Sequence, residues 1–130
     1  MWLFTQYGFY SVVCARDLSR TPATSPSGIT KDTLMVRARV RRHLEDLQKR
    51  FPELAGCEIL TTRNTDYRFR LVVSKIDWVQ VSDQLAKEID YGNFKSRVHA
   101  LTGDADYMHA LHEVWAVMER LQRPENQNPD

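Results

Sequence analysis

The stretch Leu34-Met35-Val36-Arg37-Ala38-Arg39-Val40, running on into Arg41-Arg42-His43-Leu44-Glu45-Asp46-Leu47-Gln48-Lys49-Arg50-Phe51, decides the fold. Its first part alternates, with Val36, Ala38 and Val40 to one side and Arg37 and Arg39 to the other, the period-two signature of a strand with one wet face. In its second part Val40, Leu44, Leu47 and Phe51 form the stripe of an amphipathic helix, and Pro52 stops that helix because its ring and missing N–H cannot continue the ladder. A strand therefore passes directly into a helix.

Toward the C-terminus, residues 57–62 and 67–73 read as two short strands joined by Arg63-Asn64-Thr65-Asp66, whose Asn and Asp suit a hairpin turn. In the second of these, Tyr67, Phe69 and Leu71 alternate with Arg68 and Arg70. Ser74 then supplies an N-cap hydroxyl with Asp77 three residues on, and Trp78, Val81, Leu85 and Ile89 give a helix face expected to run to about Asp90. A short helix carries Phe94, Val98 and Leu101. Asp104 caps a last helix with the stripe Tyr107, Leu111, Val114, Trp115, Met118 and Leu121. We expect Leu44, Leu47, Phe51, Phe69, Leu71, Trp78, Leu85, Ile89, Leu111, Trp115 and Met118 to share one core.

Toward the N-terminus, residues 2–15 are rich in aromatic and β-branched side chains and read as one long strand, with Gly8 marking a bulge or a close backbone approach. The opening lacks the basic region of a signal peptide and is interrupted by Gln6 and Gly8. Residues 16–33 collect Pro, Ser, Thr and Gly without a period and are expected as a mobile loop, residues 124–130 as a disordered tail, and residues 1–123 as a single α+β domain.

Strand, helix, strand, strand, helix lacks one final strand of the split β-α-β unit, and the N-terminal strand is free to supply it at the edge. The expected fold is a ferredoxin-like antiparallel four-stranded sheet in the spatial order first, second, fourth, third. Helices cover one face, and two more are added at the C-terminus.

With 42% apolar and 27% charged residues the 130-residue chain has ordinary globular composition, and no run of about 18 apolar residues suggests a membrane span. Its formal net charge of +1 hides an asymmetry: residues 34–76 carry ten basic and five acidic side chains (+5), residues 77–130 five and ten (−5). Cys14 and Cys57, far apart and without metal-ligand spacing, are expected as reduced thiols in a cytoplasmic protein.

The strongest chemical feature is the set Arg37, Arg39, Arg68 and Arg70, which parity places on one face of the two central strands. Guanidinium groups suit bidentate carboxylate or phosphate binding, so the face is a candidate for an anionic ligand or nucleic acid; the competing reading has the acidic C-terminal helices neutralise it. His109, His112 and Glu113 have the wrong spacing for a zinc peptidase helix and read as a solvated face. No nucleophile elbow or phosphate-binding glycine loop is present, and neither metal nor cofactor is expected. Three functions stay open: a non-enzymatic binding or regulatory module, a small enzyme using the four arginines and Asp66 on an anionic substrate, and a docking subunit. The apolar N-terminal edge strand makes a homodimer plausible.

The motifs W-L-F-T-Q-Y-G-F-Y-S-V-V, M-V-R-A-R, D-Y-R-F-R and H-A-L-H-E-V-W-A-V-M together resemble an uncharacterised family of small bacterial proteins. The resemblance implies a bacterial, cytoplasmic, stand-alone domain and transfers no activity.

Overall fold

A computed structural model describes residues 1–16 and 29–122. The fold is α+β, with a five-stranded antiparallel sheet and four α-helices among the described residues. The chain divides into two compact units, Met1–Asp90 and Tyr91–Asp130.

The first unit holds the sheet: β1 (Trp2–Thr5), β2 (Gly8–Arg16), β3 (Ile29–Ala38), β4 (Leu60–Thr61) and β5 (Phe69–Ser74), in the spatial order β1-β2-β3-β5-β4. The segment read as one long N-terminal strand is instead a hairpin. Thr5 pairs with Gly8 across the two-residue turn Gln6-Tyr7, and the Thr5 hydroxyl accepts from the Tyr7 and Gly8 N–H groups at 3.1 Å. This side chain closes the turn and adds the fifth strand.

The expected order of the other four strands is the observed one. The reading of 16–33 as loop fails at both ends: Arg16 is the last residue of β2, and β3 begins at Ile29, where Thr30 pairs with Ala15 and Thr33 with Ser74. The β-branched Ile29, Thr30 and Thr33 suit this pairing, and a register irregularity beside Cys14 and Ala15 absorbs the break in alternation. The rest of that loop, and the tail at 124–130, lie outside the described residues.

Helix α1 (Arg41–Arg50) follows β3 through the single residue pair Arg39-Val40, and Phe51 caps it before a 3-10 turn at Pro52–Leu54. Helix α2 (Lys75–Lys87) begins where the Ser74 hydroxyl accepts from the Asp77 N–H at 3.1 Å. Both helices pack on the same face of the sheet. Leu44 and Leu47 of α1 and Trp78 and Val81 of α2 share a buried cluster with Tyr10, Val12, Val36, Leu71 and Val73, and Phe69 and Leu85 pack at its margin. Ile89 does not belong to it: α2 ends at Lys87, and Ile89 is 62% exposed.

In the second unit α3 (Phe94–Leu101) packs on α4 (Ala105–Glu119). Asn93 caps the first through the Ser96 N–H, and Asp104 the second through the Tyr107 N–H. Val98, Tyr107 and Leu111 are buried, but Trp115 and Met118 are 53% and 56% exposed, so the expected core stripe stops halfway along α4. The lengths explain this: eight residues of α3 span about 12 Å and fifteen of α4 about 22 Å, so α3 cannot cover the whole stripe. No helix among the described residues is long and apolar enough to cross a membrane.

Candidate functional site

The face of the sheet opposite α1 and α2 is built by strand alternation. On β3, Leu34, Val36 and Ala38 are buried toward the helices, which turns Met35 and Arg37 the other way. The register then sets Trp2, Ser11, Arg37, Arg70 and Leu60 side by side across all five strands, because each is the direct partner of the next. Val13, Met35 and Val72 form the parallel row on one side, and Phe4 pairs with Phe9 on the other.

Arg37 and Arg70 are thus direct cross-strand partners. Arg37 donates from Nη2 to the Ser11 hydroxyl at 2.7 Å. Arg70 donates from Nη2 to the Tyr67 carbonyl at 3.3 Å and to the Thr65 hydroxyl at 3.4 Å. The Nε–H of each is buried without a partner. Arg39, just beyond the strand, is exposed and donates from Nε to the Asp66 carbonyl at 3.1 Å. The guanidinium carbons of Arg37 and Arg39 each lie 4.6 Å from the Tyr67 ring centroid, and that of Arg39 lies 6.0 Å from the Phe9 ring. Among the described residues none of these three arginines pairs with a carboxylate. Asp66 contributes its carbonyl to Arg39.

Arg68 does not join them. It is exposed, with its guanidinium 5.8 Å from the ring of Phe69, a residue packed against the core on the other face. Tyr67 is corrected in the opposite sense: alternation grouped it with Phe69 and Leu71, but it is buried beneath Arg37 and Arg39. The reason is that β5 begins only at Phe69. The Arg68 carbonyl still accepts from the Thr62 N–H, one step on from the Thr61–Phe69 pair, whereas the Tyr67 carbonyl accepts from the Thr65 hydroxyl, so the chain has turned into the hairpin loop at Tyr67.

The aromatic part of the face was hidden in the sequence. Along one strand Phe4 and Phe9 have opposite parity, and so point to opposite faces. The turn at Gln6-Tyr7 reverses the chain and sets their rings in a stack, 4.5 Å between centroids, with Trp2 edge-on to Phe9 at 6.0 Å. Tyr10, next along β2, points the other way into the core.

A second polar cluster lies elsewhere in this unit. The Tyr7 hydroxyl donates to Glu88 Oε2 at 2.7 Å, Gln6 Nε2 donates to the same oxygen at 3.3 Å, and Arg50 pairs with Oε1. Burial, and next the hydrogen bond to Glu88, raise the Tyr7 pKa. Glu88 is the C-cap of α2, its N–H still donating to the Gln84 carbonyl at 3.0 Å, and its side chain ties the β1–β2 turn to the ends of α1 and α2. Burial, and then the Asp77 carboxylate, push the Cys57 thiol up, which keeps it protonated and a poor nucleophile.

His109 and Glu113 form an exposed pair at 2.9 Å on α4, and no group of three His, Cys, Asp or Glu side chains is arranged to hold a metal ion among the described residues. Compared with protein families, with curated proteins and with solved structures, the chain matches none.

Proposed function

We propose that the chain is a non-enzymatic binding module whose sheet face holds an anionic group between Arg37 and Arg70, with Arg39 beside them. The observation that carries this reading is the direct cross-strand pairing of two guanidiniums that have no carboxylate partner among the described residues. Like charges opposed across strands destabilise a sheet, and an anion bridging them relieves the repulsion. The donors left open on each guanidinium suit a phosphate or carboxylate. The fold we assign is the ferredoxin-like unit: β2 takes the edge place of its final strand beside β3, β5 and β4, and β1 is added outside. Two free cysteines favour the cytoplasm as its compartment.

The test is a titration of the full chain with inorganic polyphosphate at about 50 and 200 mM salt, the range over which counterion release shows. The wild type should bind and weaken steeply with salt. Arg37→Gln and Arg70→Gln, each checked for an unchanged circular-dichroism spectrum, should weaken binding on the order of tenfold, as expected for loss of one charge-assisted contact. Binding that is absent at low salt, or as tight in both variants as in the wild type, rejects the reading.

A further inference from the structure

We propose that the anion held by this face belongs to a single-stranded nucleic acid, with its phosphates on Arg37, Arg39 and Arg70 and a base stacked on Trp2; this rests on the anion-binding reading above. Trp2 is 69% exposed on the outermost strand. It nevertheless stands in the same cross-strand row as Arg37 and Arg70. Three strand spacings separate it from Arg70, about 14 Å, which is the run of two or three nucleotides on a sheet that stacks its bases on aromatic side chains. A stacking surface at the edge and two adjacent charges further in therefore lie along one line, at a spacing that suits a nucleotide chain.

The parts are held in place before any ligand arrives. Phe9 stacks on Phe4 and packs at right angles to Trp2, so the exposed indole rests against a packed aromatic pair. Arg37 and Arg39 are each fixed against Tyr67, and Arg37 is also tied to Ser11. Ordering that is already complete in the free protein is not charged against binding. The neighbouring row offers Val13 and Val72, 38% and 42% exposed, as apolar ground for sugars and bases.

A single strand fits this face better than a duplex. Stacking needs a base with an open face, and a duplex buries those faces in its own stack. An acidic polypeptide would satisfy the arginines but leave Trp2 unused.

The experiment is a fluorescence-anisotropy titration of the full chain with a labelled mixed-sequence single strand, in DNA and RNA forms, and with the matching duplex. Heparin and polyglutamate serve as competitors. The single strand should bind about tenfold or more tighter than the duplex. Trp2→Ala should weaken single-strand binding about tenfold, the effect of losing one stacked base, while leaving heparin affinity within about twofold. Trp2→Tyr should restore most of the loss, which separates stacking from any change in folding. Arg70→Gln should weaken single strand and heparin alike. Equal binding of single strand, duplex and heparin with no effect of Trp2→Ala overturns the nucleic-acid assignment and leaves the anion-binding reading standing. Preference for polyglutamate transfers the face to an acidic protein partner. Failure of every polyanion to bind overturns both readings.

Discussion

Gly8 opens β2 at a φ of +155°, and a Cβ built there would stand 2.6 Å from the Cβ of His43. His43 has little room to move away: it is 6% exposed, its carbonyl accepts from the Tyr10 hydroxyl at 2.6 Å, and its Nδ1 accepts from the Phe9 N–H at 3.4 Å. The close backbone approach expected at this glycine is therefore its contact with α1. Gly8→Ala should cost about 1–3 kcal/mol, the range for forcing atoms into a filled site. A urea-denaturation midpoint indistinguishable from wild type would show that His43 gives way. Tyr7, next in the chain, makes a prediction of a different kind. Its phenol holds its proton above the ordinary value of 10.0, chiefly through burial and then through Glu88. A group with a raised folded pKa stabilises the fold fully below its unfolded pKa, and that contribution is lost as pH rises through the folded value. Stability should thus fall on the alkaline side above about pH 10, and Tyr7→Phe should flatten that limb. Identical limbs in wild type and variant would place the alkaline loss in other groups.

At the scale of elements, α1 and α2 are held by unequal contacts. Leu47 is fully buried in the shared core, whereas Leu85 of α2 lies at its margin. Leu47→Ala should cost about 2–5 kcal/mol from lost transfer energy and the cavity left behind, and Leu85→Ala clearly less because part of its side chain is already in water. Equal losses in a denaturation series would mean that α2 packs more deeply than its exposure indicates. The helices were legible in the sequence because their signals are local: a stripe through Leu44 and Leu47, a proline stop at Pro52, a hydroxyl cap at Ser74. The strand order was legible because the strand–helix–strand–strand–helix run lacks one edge strand of the split β-α-β unit and the N-terminal segment fits that place. The β1–β2 hairpin was not, since aromatic and β-branched residues flank Gln6-Tyr7-Gly8 on both sides and the turn is closed by a side chain, Thr5, that a strand also accepts. The same limit acted on the site. Parity over β3 and β5 located Arg37 and Arg70, but it was carried two residues too far at Tyr67 and Arg68, and across a hidden turn it separated Phe4 from Phe9.

For the molecule as a whole, the division after Asp90 matters most for function. Every side chain of the sheet's buried cluster, from Tyr10 to Val81, precedes it, and so does the Tyr7–Glu88–Arg50 cluster that ties the first turn to the helix ends. All the residues proposed to bind ligand, from Trp2 to Val72, lie in the same stretch. The apolar stripe expected to make one core through Trp115 and Met118 gives out on α4, where those side chains are exposed. A chain ending at Asp90 therefore keeps its whole core, and at this length it can bury well over half of its unfolded surface. We expect that fragment to unfold in one cooperative urea transition with a slope of about 1 kcal/mol/M, the low end for small domains, and to bind inorganic polyphosphate with the affinity of the full chain. A broad transition with strong binding of a hydrophobic dye would show that residues after Asp90 complete the core. A cooperative fragment that fails to bind would instead reject the placement of the anion site within Met1–Asp90.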